Sequence, residues 1–246
     1  MDFLRALTFP VSVKGWLRPA LTAVLVQFIP MVGTAAVAGW LYKIFLQTHS
    51  DPHADHGLPR WDNLIEILGN GLTLIISFLV FLLPLVLFFI ADLFAAFLST
   101  LATGLLGEEV STFMRGLVTG QYEAIFVAIG ALFTIAYMIP MFIVYWAALM
   151  RFENSGSFLA FMEFTENLQL AWDYREQFIL AFLFVVIGGV MTVVIFTISV
   201  VGLFLIFPFF GGFMAHIVGQ LAAQIDAAGD TDPVQPMVAA TTRRSG

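Results

Sequence analysis

The polar loop from His49 to His56 holds the densest group of possible metal ligands in the sequence. Three imidazoles and two carboxylates stand there within eight residues. Imidazole and carboxylate groups are ligands that Zn²⁺, Ni²⁺ and Cu²⁺ accept in proteins. Pro52 interrupts the loop, and no partner that would orient the imidazoles is evident, so a solvated polar loop is the alternative interpretation. The candidate ligands are His49, Asp51, His53, Asp55 and His56.

His216 is the only titratable residue deep in the last apolar segment. A neutral imidazole there could bind the metal of a haem or chlorin, or relay protons. Its neighbours favour a simpler role, because small residues recur every four positions beside it and let a second helix approach closely. The sequence therefore predicts that His216 hydrogen-bonds across a helix contact, and it predicts no cofactor. The small-residue stripe consists of Gly211, Ala215, Gly219 and Ala223.

Two further features could serve transport. Asp92 stands alone in a long apolar run, although about 20 residues of helix from Leu72 onwards would bring it to the far membrane surface. Prolines interrupt four apolar segments, and broken helices build the binding sites of many transporters. Few polar side chains accompany them, which favours kinks that shape the bundle. These prolines are Pro30, Pro84, Pro140 and Pro208.

Catalytic motifs are absent from the sequence. It contains no His-Glu-x-x-His, no phosphate-binding glycine loop and no Gly-x-Ser-x-Gly. Ser199 with His216 is the only notional pair of nucleophile and base for an intramembrane hydrolase. The sequence also has no cysteine, which excludes disulfides and thiolate chemistry. We therefore predict that the protein is not an enzyme.

The composition of the chain indicates that transmembrane helices position these residues. Apolar residues make up 60% of the chain, charged residues 11%, and the mean hydropathy is +0.96, values typical of integral membrane proteins. The 49 residues from Gln177 to Ile225 carry no Asp, Glu, Lys or Arg. As one helix they would be roughly 74 Å long, more than twice the hydrocarbon thickness of about 30 Å. They therefore predict two spans joined by a turn near Ser199 to Gly202.

The remaining apolar segments add two or three spans. Residues 72–106 and 124–150 are each long enough to cross the bilayer. Residues 20–46 are interrupted at Pro30 and are either a kinked span or a re-entrant hairpin. The sequence thus predicts an all-α fold, a polytopic transmembrane helical bundle of four to five spans with a possible re-entrant first segment.

Two amphipathic helices are predicted to lie in the membrane interface. Apolar residues at helical spacing mark the first near Trp61 to Leu68 and the second from Phe158 to Trp172. Ser157 has the side chain to cap the start of the second. Residues 1–225 are predicted to form a single transmembrane domain, and residues 226–246, which lack periodicity, a disordered cytoplasmic tail.

The distribution of Lys and Arg indicates the topology, because these residues bias loops toward the cytoplasm. A re-entrant first segment with four spans places nine of the ten cations inside, whereas five spans with the N-terminus outside place six. Both arrangements give a cytoplasmic C-terminus. The formal net charge is −7, and no dense basic patch for nucleic acid or anionic lipid headgroups is evident. The expected partners are the lipid bilayer and another membrane protein, with no nucleic acid.

Several short motifs carry a family resemblance. They are Leu58-Pro59-Arg60-Trp61-Asp62-Asn63, Asn70-Gly71, the turn from Phe152 to Phe158, Gly202 with Pro208, and Gly219-Gln220. With these motifs the chain resembles the domain of unknown function 4013 family of prokaryotic membrane proteins over most of residues 1–224. That family more often has a second acidic residue at the position of Asn63 and Thr at that of Ser155. The resemblance implies a multi-pass helical protein of a prokaryotic inner or plasma membrane, and it implies no activity.

The leading functional hypothesis is a non-enzymatic membrane protein that works by association. It would be an accessory or assembly subunit of a membrane complex, or a bilayer-associated structural protein, and it would bind a membrane protein or a second copy of itself. The hypothesis depends on the small-residue stripe, the two interfacial helices and a bundle almost free of buried charge. The alternative is a small transporter or channel that uses proline-broken helices, and a third possibility is metal handling by the histidine loop.

Overall fold

The fold is helical throughout the part of the chain that the structure describes. A computed structural model describes residues 1–12, 14–54, 57–106, 123–197 and 200–231. Two 3-10 turns, Phe9–Val11 and Phe158–Phe161, accompany the α-helices. The helices are α1 Phe3–Thr8, α2 Leu17–Gln27, α3 Val32–Ser50, α4 Leu64–Leu106, α5 Glu123–Ser155, α6 Phe164–Asp173, α7 Arg175–Phe196 and α8 Val200–Thr231. The prediction of an all-α fold is confirmed.

Four helical segments among the described residues are long and apolar enough to cross a bilayer. Their 22 to 28 residues correspond to roughly 33–42 Å of helix. In the first three, no more than 28% of the most apolar stretch is buried, so most of their apolar side chains need lipid as their surroundings. The predicted polytopic transmembrane fold is confirmed. The spans are Leu64–Ala91, Ala128–Ser155, Arg175–Phe196 and Leu205–Gly229.

The chain divides into two compact units, and α8 is the central helix of the larger one, which comprises Met1–Ile76 and Trp146–Gly246. It contacts α1, α2, α3 and α7, and 67% of its most apolar stretch is buried. The predicted pair of spans is therefore present as α7 and α8. Gly202 lies inside α8 instead of in the connecting turn, because α7 already ends at Phe196 and α8 begins at Val200. Ser199 lies outside the described residues.

The smaller unit, Ser77–Tyr145, contains parts of α4 and α5. The rings of Phe88 and Phe133 stack with centroids 4.5 Å apart. Tyr137 donates its hydroxyl proton to the carbonyl of Phe81, three residues before a helical proline. This hydrogen bond joins α4 to α5 about one turn before Pro84.

Only one of the four prolines coincides with a helix break. Pro84, Pro140 and Pro208 lie inside continuous helices, so the broken helices that the transporter hypothesis needs are not found at these positions. Pro30 lies in the break between α2 and α3, where Met31 has a φ of 60°. A Cβ on the nearby Gly33 would lie 2.0 Å from the carbonyl oxygen of Val26, so only glycine permits this tight turn.

The two ends of the first apolar segment lie together. Trp61, which follows the segment, donates from Nε1 to the carbonyl oxygen of Pro19 at its start, 3.0 Å away. Arg5 likewise donates to the carbonyl of His53. Neither α2 nor α3 is among the four candidate spans. These contacts agree with a re-entrant hairpin, because a full crossing would separate the two ends by the thickness of the bilayer.

The second of the two predicted amphipathic helices forms as a separate element and the first does not. The second is α6 with its preceding 3-10 turn, and Ser157 Oγ accepts from the Leu159 backbone N–H at 3.3 Å. The first merges with a span, because the helix that begins at Leu64 continues to Leu106 without interruption. Asp226 to Thr231 extend α8 and so are helical instead of part of a disordered tail. The rest of the predicted tail, 232–246, lies outside the described residues.

Candidate functional site

The small-residue stripe of α8 packs against α3 of the same chain. A Cβ on Gly219 would lie 2.7 Å from Thr48 Cβ and 2.8 Å from the Phe45 carbonyl oxygen. A Cβ on Gly211 would lie 2.7 Å from Leu41 Cδ1. Ala215 is buried and Ala223 is half-buried. This face is therefore covered inside the chain and is not an open surface for another protein.

His216 lies in the same contact and is 1% exposed. Its Nδ1 is 2.8 Å from Thr48 Oγ1, and its ring stacks on that of Phe9 with centroids 4.6 Å apart. The Thr48 hydroxyl donates its one proton to the Ile44 carbonyl at 3.0 Å, so Nδ1 is the donor to Oγ1. The position considered for a cofactor ligand or proton relay thus holds a packed polar contact between helices.

The N-terminal segment is fixed on α8 by a side-chain amide that the sequence did not single out as a partner. Gln220 Oε1 accepts from the Asp2 backbone N–H at 2.5 Å, and Gln220 Nε2 donates to the Asp2 carbonyl at 3.3 Å. The ring of Phe3 lies 5.7 Å from that of Phe213 and 5.2 Å from that of Phe184. A polar amide in an otherwise apolar span was the available signal for this contact.

His49 joins the ends of three helices. Its Nδ1 is 2.6 Å from Glu153 Oε2 on α5, and its Nε2 is 2.7 Å from Asp226 Oδ2 on α8. Burial and the charge of Glu153 raise the pKa of the neighbouring Tyr42 to about 12, so this phenol stays neutral.

The predicted metal loop is only partly described. His53 is exposed, and its backbone N–H donates to Asp51 Oδ1 at 3.0 Å. Asp55 and His56 lie outside the described residues. Among the residues that are described, no three His, Asp or Glu side chains are placed to hold a metal ion.

Arg151 attaches α6 to the end of α5. Its guanidinium donates to Asn167 Oδ1 at 3.0 Å, to Glu163 Oε2 at 2.5 Å and to Glu166. Asn167 is fully buried and donates to the Ala160 carbonyl at 2.8 Å. Asn167 is therefore the polar residue of α6 that faces the protein, whereas Thr165, Glu166, Gln169 and Asp173 are exposed.

Three large apolar side chains of α6 are also exposed. Phe164, Leu168 and Trp172, four residues apart along the helix, are 47%, 56% and 67% exposed. In a surface helix of a soluble protein, large apolar side chains face the core. An outward apolar face that carries Trp, Leu and Phe beside transmembrane spans fits the boundary between headgroups and acyl chains.

The Leu58–Asn63 motif packs the loop before α4 onto the first two helices of the bundle. Trp61 stacks on Trp40 with centroids 5.5 Å apart and planes 9° apart. Trp40 Nε1 donates to the Pro59 carbonyl at 2.9 Å. Gly71 fits against α3 because a Cβ there would lie 1.7 Å from the Ala35 carbonyl oxygen. The Leu58–Asn63 motif and the Asn70-Gly71 motif therefore both contribute to helix packing.

These features define a polytopic helical membrane protein in which the described polar side chains join neighbouring helices. A family model with the description "Protein of unknown function (DUF4013)" matches residues 22–207. The chain belongs to this family, as its motifs predicted. Comparisons with curated proteins and with solved structures give no match.

Proposed function

We propose that this DUF4013 protein is a non-enzymatic membrane protein that works by association at the bilayer surface. It acts as a structural element of the bilayer or as an accessory subunit of a membrane complex. By the distribution of Lys and Arg, α6 and the C-terminus lie on the cytoplasmic side of a prokaryotic inner membrane.

The observation that carries the proposal is the orientation of α6. Arg151 binds buried Asn167 and the carboxylates of Glu163 and Glu166, and three large apolar side chains of the helix are exposed. The helix is held in place without them, so its apolar face is available to lipid or to the apolar surface of a partner. Exposed Phe164, Leu168 and Trp172 form this face, called the α6 apolar face below.

Two hypotheses from the sequence lose support. Three of the four prolines lie in continuous helices, which weakens the transporter alternative. The small-residue stripe is occupied by α3, so the α6 apolar face replaces it as the surface for association.

Photocrosslinking in native membranes tests the proposal. A photoreactive amino acid placed at Leu168 or Trp172 should give adducts with lipid or with one discrete protein. Gln169 is the matched control, because it is exposed on the same helix but lies outside the apolar face. Lipid adducts support a structural element of the bilayer, and a discrete protein adduct supports an accessory subunit. Equal labelling from Leu168 and Gln169, without preference for either target, would contradict the proposal.

A further inference from the structure

A cavity of about 880 Å³ lies beside the loop that precedes α4. Three cations line it, although they come from two distant parts of the sequence. Lys14 and Arg18 belong to the N-terminal segment, and Arg60 belongs to the Leu58–Asn63 motif. Folding therefore creates a basic cluster that the sequence does not display as a run.

Among the described residues, the three cations of this cavity outnumber the carboxylates that line it. Within the described residues, none of the three cations has a carboxylate within ion-pair distance. Asp62 also lines the cavity, but its Oδ1 faces Lys43 Nζ at 3.8 Å. Lys and Arg side chains that line a cavity without a paired carboxylate attract an anion.

Two tryptophans give the cavity fixed walls. Trp61 is held by its stacking on Trp40 and by its hydrogen bond to the Pro19 carbonyl. Trp16 packs edge-on against Phe209 with centroids 5.5 Å apart. Tryptophan rings are typical of the headgroup level of a membrane.

The position of the cavity suits a lipid headgroup. The first candidate span begins at Leu64, directly after the lining residues Arg60, Trp61 and Asp62. The cations therefore lie where the polar loop meets the apolar helix, which is the level of phospholipid phosphates.

We propose that this cavity binds the phosphate of an anionic phospholipid, with Lys14, Arg18 and Arg60 as its ligands. Guanidinium groups donate two hydrogen bonds to phosphate oxygens, and lysine adds a point charge. This proposal departs from the expectation that the chain offers no dense basic patch for anionic lipid headgroups. The site is distinct from the α6 apolar face and does not depend on the proposed function. A soluble phosphomonoester shares the same chemistry, so the experiment must separate the two sources.

Native mass spectrometry of the full chain in a neutral detergent tests the site. Phosphatidylglycerol should bind more tightly than zwitterionic phosphatidylcholine. Each cation removed should weaken phosphatidylglycerol binding about fivefold, because one Lys or Arg near an anionic headgroup contributes about 1 kcal/mol. Arg18→Gln with Arg60→Gln should therefore cost roughly 25-fold. Arg175→Gln is the matched control, because Arg175 is exposed over Trp172 and does not line the cavity.

Each outcome decides the proposal. Loss of phosphatidylglycerol preference in the cavity variant alone supports it, and Arg18→Lys with Arg60→Lys should retain most of the binding. Equal loss in Arg175→Gln, or no preference in the wild-type chain, overturns it. If glycerol 3-phosphate occupies the same site at a lower concentration than phosphatidylglycerol does, the cavity is a phosphate site. The proposal that its ligand is a lipid is then overturned. Unfolding temperatures of all variants, measured in the same detergent, confirm that the compared proteins are folded.

Discussion

His216 Nδ1 lies 2.8 Å from Thr48 Oγ1, although 168 residues separate the two in the chain. The ring of Phe9 covers the imidazole, so one buried contact joins the N-terminal segment, α3 and α8. Thr48 lies within the part of the chain that the family model matches, residues 22–207, whereas Phe9 and His216 lie outside it. Phe9, which lies outside the matched region, therefore packs on the central helix of the larger unit.

The Thr48–His216 contact predicts non-additive stability. Thr48→Val or His216→Leu should each lower the free energy of unfolding by about 1–3 kcal/mol, because each leaves a buried polar partner. The double variant should cost less than the sum, with a coupling of about 0.5–1.5 kcal/mol. Chemical unfolding of the detergent-solubilised chain measures all four proteins. If the losses of unfolding free energy in the two single variants add up in the double variant, Thr48 and His216 do not interact.

Gly219 and Gly229 provide a matched pair on one helix. A Cβ on Gly219 meets the Phe45 carbonyl at 2.8 Å, so Gly219→Ala should destabilise the protein by about 1–3 kcal/mol. A Cβ on Gly229 meets nothing within 4 Å, so Gly229→Ala should be neutral or stabilise by up to about 1 kcal/mol. Thermal unfolding in detergent compares the two variants. A similar effect of both would mean that α3 and α8 are not in close contact.

The sequence predicts helices and their faces better than it predicts their partners. A stripe such as Gly211 to Ala223 marks a face that a second helix can approach closely, because its side chains are short. Which helix fills that face depends on contacts between distant residues, here those of Gly219 with Phe45 and Thr48. The basic cavity could not be predicted for the same reason. Arg18 and Arg60 line one cavity only after α2 and α3 fold back.

Amphipathic patterns were harder to interpret than the spans. Trp61 to Leu68 has the period of a surface helix, but the helix starts at Leu64 and no break follows. In α6 the period predicted the helix correctly. It could not reveal that Asn167 faces inward, because that orientation depends on Arg151, which lies on another helix.

Loss of the Arg151 guanidinium should release α6. Arg151→Gln removes the partner of buried Asn167 and of two carboxylates, so local opening of the helix should become easier by about 1–3 kcal/mol. Hydrogen exchange of the amides from Phe164 to Asp173 should become roughly 5- to 150-fold faster as a result. Arg18→Gln, which removes an equal charge from α2, should leave exchange within about twofold of the wild type. Unchanged exchange in Arg151→Gln would show that the cluster does not hold the helix.

The contacts of the larger unit also predict membrane topology. Arg5 donates to the His53 carbonyl, and His49 lies 2.7 Å from Asp226, so the N-terminal segment, the first loop and the end of α8 share one side. The absence of cysteine from the sequence makes single-cysteine labelling clean. Cysteines are best placed at exposed positions near these contacts, which Ser12, His53 and Ala227 provide.

Ser12→Cys, His53→Cys and Ala227→Cys should react with an impermeant maleimide from the same side of sealed vesicles. Positive residues favour the cytoplasmic side, so labelling should occur in inside-out vesicles and not in right-side-out vesicles. Arg115→Cys is the opposite-side control, because the sequence predicts that its loop follows the first crossing. Labelling of Ser12→Cys and His53→Cys from opposite sides would mean that α2 and α3 cross the bilayer and do not form a re-entrant hairpin.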